Sequence, residues 1–499
     1  TYMRGDHPIG SNAMAVAPNR TPDGSTHLAV NSHQPWTGPV AWYEVRMKSE
    51  EGYDVTGGVF PGTPVVLHGH SPHHGWAHTV NKPDLTDVYE LELNPDNEDQ
   101  YRFDGEWRDF EKDLIDLPVR LAGNVYWTFQ REALVSEHGP AFRVGDKAYA
   151  VRYATYGNIG QVEQWFRIGN AQNVEAFRTA MAMQAIPSFN TVYADKDGNI
   201  AYIYNGVFPE RAPGYDWQGY LPGNTSETLW TEYLPFEAVP QMWNPSAGWV
   251  QNCNSTPYRT GDPADNPNPE DFAPEMGIED EVMTNRALRS IELFGSDDSI
   301  SWEEFYAYKY DGGYSEESAA AQLREEILAA DLPDDPVVNE ALELLRAWDL
   351  KTDRANTSTA VAILAMEPVV RAQIFGRPVP DLLELFVERA RDLHEIHGTV
   401  AVPWGEVNRL VRGEVNLSLD GGPDVLHAIY GDWNEETGQL NGVAGDCYVA
   451  LASWDAEGNL AQSLSIHQFG SATLDEDSPH YADQAPLFAA KEMKPTWLD

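Results

Sequence analysis

The stretch that most constrains this chain is Gly10-Ser11-Asn12-Ala13-Met14-Ala15-Val16-Ala17-Pro18, a small-residue run with a hydroxyl directly after a glycine. Its answering stretch is Val30-Asn31-Ser32-His33-Gln34-Pro35-Trp36. Between them residues 19–25 form a turn cluster centred on Pro22-Asp23-Gly24. A hairpin folded on that turn pairs residues whose numbers sum to about 44 to 46. Ser11 is then expected opposite His33 or a near neighbour, so a nucleophile and an imidazole come close through local geometry alone.

The totals bound the rest. At 499 residues the chain exceeds the size at which one core keeps growing, so one very large domain or two to three modules are expected. Its 33 basic residues face 78 acidic ones, a net charge of −45. A phosphate backbone would be repelled, which argues against a nucleic-acid partner. The acidity is spread rather than blocked and reads as a solvated, soluble surface suited to high salt. Cys253 and Cys447 are the only cysteines; two cannot build a disulfide framework, and whether they pair stays open. The longest clean apolar run, residues 360–366, is too short to span a bilayer. The first ten residues are neither a signal nor a transit peptide and lack an initiating Met, so the chain reads as a piece of a longer precursor.

Residues 11 to about 255 read as mostly β, with short apolar or alternating runs at 42–47, 63–69, 76–80, 88–93, 126–129, 148–153, 191–194, 200–204 and 248–251. A helix is expected near 174–183, capped by Asn173. After a Pro-, Asp- and Asn-rich loop at 260–280, helical signals dominate. They are residues 284–293, the capping box at Ser301–Glu304, residues 318–330, Asp335-Pro336 opening another helix, then 359–371 and 381–397. Strands return at 448–453 and 462–467. The expected class is α+β: a β-rich core at 11–284, a mainly helical insertion at 285–400, and a return to the core sheets at 401–499.

Chemistry could sit at several places. No Gly-x-Ser-x-Gly elbow surrounds Ser11, which removes the α/β-hydrolase reading. If the Gly10–Ser11 bond is cut, Ser11 carries both a hydroxyl and a free α-amine, and an amine titrating near about 7.7 to 8 can serve as its base. His33 is either a strand-end histidine or a group that assists that amine. Five histidines crowd into His68–His78, but their spacing fits no zinc helix and Gly69, Pro72 and Gly75 oppose one. Asp84-Leu85-Thr86-Asp87 offers oxygen ligands suited to calcium, or is a solvated acidic turn. Asn254 could donate to an oxyanion, or satisfy its own loop. On these residues alone, an acidic aromatic-rich binding protein with 16 Trp as stacking surfaces and a carboxylate-pair glycosidase both stay open.

Taken in order, these stretches resemble the penicillin acylase family of N-terminal nucleophile hydrolases. Gly10-Ser11-Asn12 with Arg20-Thr21-x-x-Gly24 resembles the start of the family's catalytic β chain. Asn31-Ser32-His33-x-Pro35-Trp36 is similar to the Asn-Pro-His segment of its lactone and aculeacin branch. Gly75-Trp-Ala-His-Thr-Val80 with Asp84-x-Thr-Asp87 resembles the oxyanion and calcium segment, and Asn252-x-Asn254-x-x-Pro257 the second oxyanion segment. Gly470-Ser471 and Ser478-Pro-His-Tyr481-x-Asp-Gln484 resemble the closing motif.

The resemblance implies an αββα sandwich of two antiparallel sheets. It implies an amidohydrolase cleaving a small-molecule acyl amide, such as a β-lactam antibiotic, an acyl-homoserine lactone or a lipopeptide, with antibiotic metabolism or quorum quenching as its setting. It gives Ser11 the role of nucleophile, His33 that of orienting the amine, and Val80 N–H with the Asn254 amide the oxyanion hole. Arg286 resembles an arginine that members carry near the site. Asp84, Thr86, Asp87 and Asp265 resemble the positions that hold a structural Ca2+; no organic cofactor is required. Residues 1–10 resemble the end of an autocatalytically removed spacer, so a chain with that bond intact is an inactive zymogen. The 499 residues correspond to the β chain alone, with an α chain from the same precursor as partner and a periplasmic or secreted home.

The spread acidity supplies a first test. Raising NaCl from about 0.1 M to about 2 M screens the like charges and should raise the thermal unfolding midpoint. A midpoint that stays level or falls would show that surface repulsion does not limit stability.

Overall fold

The strand Gly10–Val16 is buried at every position, which its small side chains permit. A strand alternates its side chains between two faces, so burial at every position means a layer packed on each side. The computed structural model describes residues 10–279, 282–472, 474–496 and 498. Residues 1–9, read above as the end of a spacer, lie outside the described residues.

One sheet runs in the order Trp249–Asn252, Gly10–Val16, Thr26–Pro35, Gln439–Trp454, Asn408–Arg412, Val415–Ser418. Ile429–Asn434 and Leu460–His467 also pair with its long strand Gln439–Trp454. A second sheet runs Gln241–Trp243, Ile200–Gly206, Ser188–Asp195, His74–Thr79, His68–His70, Asp54–Val59, Tyr43–Lys48. Both are antiparallel except where Asn408–Arg412 lies parallel to Gln439–Trp454.

The two sheets stack face to face. Ala13, Ala15, Leu28 and Val30 of the first pack in one core with Ala77, Val192 and Tyr202 of the second. On the other face Met14, Val16 and Ala29 meet Ala287, Phe294 and Phe305 from the helices Asn285–Ser296 and Trp302–Lys309. Helices Gln161–Gly169 and Val174–Met181 cover the outer face of the second sheet, Phe177 lying 4.3 Å from the Tyr193 ring. The layers therefore run helix, sheet, sheet, helix, the expected α+β sandwich.

Helix starts fall within about one residue of the expected ones. Asn173, Thr284, Ser318, Asp335 and Asp381 each accept a backbone N–H of the following turn, and Ser301 with Glu304 closes a capping box. The helix Gln161–Gly169 escaped the sequence reading because Gly160 offers no side-chain cap. The strand expected at 63–69 shrinks to His68–His70, since Pro64 has no N–H to give a ladder. Strands Asn408–Arg412, Val415–Ser418 and Ile429–Asn434 were not anticipated either. Nor were a three-stranded sheet and a six-stranded sheet, the latter carrying the largely exposed hairpin Glu111–Ala122 and Val125–Ser136.

The opening hairpin forms with a register slightly off the expected one. Ser11 pairs with Ser32, and His33 pairs with Gly10. The first limb leaves the ladder at Val16 and makes a tight turn at Pro18–Arg20, which moves the centre of the hairpin towards its first limb. Because side chains alternate, a one-residue shift exchanges faces. Ser11 therefore shares a face with Ser32, and His33 takes the opposite one.

Phe294 is 1% exposed and packs on Trp249, Phe305 and Tyr308, joining the helical layer to the back of the central strand. Phe294→Ala should cost about 3–5 kcal/mol in urea unfolding. A loss under about 1 kcal/mol would show that this contact does not hold the layers together.

Candidate active site

Ser11 stands near the start of the central strand, and the site is assembled around its backbone. The register with Trp249–Asn252 sets Ala13 opposite Asn252, so the chain beyond Asn252 runs on beside Asn12 and Ser11. Asn254 is thereby brought to Ser11, although 243 positions separate them in sequence. The Ser11 N–H donates to Asn254 Oδ1 at 2.7 Å. Arg286 Nη2 donates to the same oxygen at 3.1 Å, while Asn254 Nδ2 donates to the Val80 carbonyl at 2.9 Å. Two donors on the oxygen and a carbonyl on the nitrogen set the orientation of the amide.

Val80 comes from the other sheet, directly after its strand His74–Thr79. The Asn254 side chain thus bridges the two sheets where their strand ends meet. Its own backbone is left-handed at φ 63°, a costly conformation for a side-chain-bearing residue. Asn252 supports it: Asn252 Oδ1 accepts the Asn254 N–H at 2.9 Å, the Thr79 hydroxyl at 2.5 Å and Asn190 Nδ2 at 3.0 Å. A small cavity of about 80 Å³ opens here, lined by Val80, Asn254, Tyr204 and Pro257 among others.

Arg286, 4% exposed, ties the strand of Ser11 to the first helix of the helical block. Its Nη1 donates to the Ser11 carbonyl at 2.8 Å and to Asn12 Oδ1 at 2.7 Å, and its Nε pairs with Asp424 at 3.0 Å. The helix start is anchored to the same strand end, because the Thr284 hydroxyl donates to the Cys253 carbonyl at 2.9 Å. Gly10 is hemmed in by these groups. A Cβ there would lie 2.7 Å from Asn254 Oδ1 and 2.9 Å from Arg286 Nη2, so a side chain at this position would push both groups aside. The Ser11 hydroxyl donates to the Gly10 carbonyl at 2.5 Å.

His33 faces away from that hydroxyl. It lies across the ladder from Gly10, and its Nε2 contacts Asp446 Oδ1 at 3.0 Å and Asn31 Nδ2 at 3.1 Å; no hydrogen bond joins it to Ser11. Asp446 escaped the sequence reading. Fully buried, it also pairs with Lys309 at 2.6 Å and His427 at 2.7 Å. Burial works against its carboxylate, but the Lys309 ammonium and the bonds from His33 and His427 prevail and hold it well below the usual range. Burial pushes the His33 imidazole down to about 4 against the pull of Asp446. Its sequence signal was weak: an acid within an apolar strand with no motif around it.

A family model described as penicillin amidase matches residues 2–499. The chain belongs to the penicillin amidase family. An acyl-homoserine lactone acylase, PvdQ, of Pseudomonas putida is 25% identical over 539 residues, covering 97% of this chain and 67% of that protein. Penicillin G acylase of Escherichia coli is 27% identical over 257 residues, 51% of this chain and 30% of that one. A thermostable penicillin G acylase from Alcaligenes faecalis shares the fold with a TM-score of 0.68, at 20% identity, over 98% of this chain and 96% of that chain. Membership of the penicillin amidase family makes this an amide-hydrolysing acylase, and it sets aside the binding-protein and glycosidase readings.

The calcium positions that the resemblance suggested do not fit a metal here. Asp84 and Asp87 both close on the Arg211 guanidinium. Thr86, expected to offer its carbonyl, lies in the strand that begins there, and Asp265 holds the loop before Trp249, accepting from Ser246 N–H at 3.0 Å and Ala247 N–H at 2.9 Å. Among the described residues no group of three acidic, His or Cys side chains is arranged to hold a metal. The crowded histidines are dispersed among separate partners: His68 to Ser32, His70 to Ser463, His74 to the Ile168 carbonyl and His78 to Thr191. Cys253 and Cys447 are free and buried. Among the described residues no helix is long and apolar enough to cross a membrane.

His33 makes stability pH-dependent. The folded ring stays neutral down to about 4, while in the unfolded chain it takes up a proton near 6.5. Stability is therefore lost as pH falls from 6.5 towards 4, and the depressed Asp446 carboxylate extends the loss below that window. In His33→Gln the slope of unfolding free energy against pH should flatten by about 1.4 kcal/mol per pH unit within the His33 window. An unchanged slope would mean that His33 is protonated in the folded protein.

Proposed function

We propose that this chain is the catalytic β chain of an exported acylase that works through an acyl-enzyme on Ser11, once its own serine has cut the Gly10–Ser11 bond. The observation that carries the reading is the Ser11 N–H held on the Asn254 amide, which also reaches Val80. One side chain thus touches the Ser11 N–H and, through the Val80 carbonyl, the residue proposed as its partner in the oxyanion hole.

In the maturation step the Ser11 Oγ adds to the Gly10 carbonyl carbon. The peptide C–N bond breaks, the departing nitrogen takes a proton, and an ester links Gly10 to Ser11 Oγ. Water hydrolyses that ester, leaving the Gly10 carboxylate, the Ser11 hydroxyl and a free α-amine. With the bond intact the nitrogen is an amide and cannot serve as base, so the uncut chain is inactive. Departure of Gly10 frees the space it fills against Asn254 and Arg286.

In turnover the α-amine accepts the Ser11 hydroxyl proton as Oγ attacks the acyl carbonyl, and the Val80 N–H and Asn254 Nδ2 donate to the oxyanion. The proton passes to the leaving amine. Water, deprotonated by the same α-amine, then releases the acid. His33 acts from the far side of the sheet, as the cross-strand neighbour of the cut bond. The relatives' names point to acyl-homoserine lactones and β-lactams as the substrate classes to assay, and an α chain from the same precursor completes the acyl pocket.

Intact-mass measurement and released-amine assays on the precursor carrying both chains test this. Ser11→Ala should stay uncut and release no amine from either substrate class. Gly10→Ala should cut at least about tenfold more slowly, because its Cβ displaces the two groups that hold the bond. A Ser11→Ala protein that is still cut and still hydrolyses amides would overturn the reading.

A further inference from the structure

The strongest unassigned feature is the cage around Arg211, whose side chain is 0% exposed. Nη1 lies 3.1 Å from Asp84 Oδ2 and donates to the Glu275 carbonyl at 2.6 Å. Nη2 lies 3.1 Å from Asp87 Oδ1 and donates to the Asp84 carbonyl at 3.2 Å, and Nε donates to Asp87 Oδ2 at 3.2 Å. The Trp217 ring lies 5.4 Å from the guanidinium carbon. The carboxylates are held in turn: Gln218 Nε2 donates to Asp84 Oδ2 at 2.9 Å and Trp230 Nε1 to Asp87 Oδ2 at 2.6 Å.

Two carboxylates and two carbonyls converging on one point form the hard-oxygen set that a divalent cation takes. Here a planar fork occupies that point, and its donors are spread over both acids in a way a compact ammonium could not match. We propose that Arg211 is a built-in replacement for a divalent cation. It fills the oxygen cage and ties the segment after Val80 to the loop of residues 211–218 and to Glu275. The native chain accordingly takes up no calcium at this site. Removing the guanidinium leaves the buried Asp87 and the partly exposed Asp84 carboxylates facing an empty space, and the cage then becomes a calcium site.

The consequence is structural and is read without substrate. Thermal unfolding of the native protein should move by less than about 1 °C between about 5 mM EDTA and about 5 mM CaCl2. Terbium should give the native protein no tryptophan-sensitised emission beyond that of an Asp84→Asn/Asp87→Asn variant. Arg211→Ala should unfold at a lower temperature, recover with added calcium in a saturable way, and show terbium emission excited through the neighbouring Trp230. Asp84→Asn and Asp87→Asn in the Arg211→Ala background should abolish both effects, which separates this cage from the acidic surface.

Chelator-sensitive stability of the native protein, or an Arg211→Ala protein indifferent to calcium, would overturn the proposal. If Arg211→Ala does not fold, the native chelator and terbium measurements still decide it. Arg211→Lys, which keeps the charge but loses the fork, should then fold with a lowered midpoint that calcium leaves unchanged; a calcium-restored Arg211→Lys would also count against it.

Discussion

Everything in this structure depends on a strand buried on both faces. Gly10–Val16 lies in the first sheet between the second sheet on one side and a helical layer on the other, so its alternate residues serve two different cores. Packing at that density leaves room for Ser11, Ala13 and Ala15 on the inter-sheet face, and for Met14 and Val16 behind. Ser11 stands near the start of the described strand, where Asn254 and Arg286 approach its backbone.

Burial on that scale obliges polar groups to be paired. Asn252 takes three donors, Asn254 spans two sheets, and Arg286 satisfies the Ser11 carbonyl and Asn12 together. The charged groups follow the same rule. Lys309 with Asp446, Arg286 with Asp424, and Arg211 with Asp84 and Asp87 keep each buried charge beside an opposite one. An unpaired member of such a set would be costly. A single arrangement of strands satisfies all of them, and that rigidity preorganises the donors around Ser11.

Local signals carried far in this sequence. Caps located the helix starts at Asn173, Ser301 and Asp335, because a side-chain oxygen followed by free N–H groups is a contact within one turn. The Pro22-Asp23-Gly24 turn announced the hairpin. Motif order named the family. What could not be read were partners separated by hundreds of residues: Asp446 for His33, Asp424 for Arg286, Asn252 beneath Asn254, and Arg211 between two acids taken for calcium ligands. Each is an ordinary polar residue in its own neighbourhood and acquires meaning only across the sheet.

The sequence by itself determined the hairpin that carries Ser11, the helical block and the enzyme family, since these rest on short-range pattern and motif. Tertiary structure alone decided which face each residue takes. A register shifted by one pair put the Ser11 hydroxyl and the His33 ring on opposite sides of a sheet, because strand side chains alternate with a period of two. It also decided that a guanidinium occupies the cage of Asp84 and Asp87. Coulomb attraction in a buried cage favours whatever cation the fold delivers there, and only the fold reveals that it delivers one of its own.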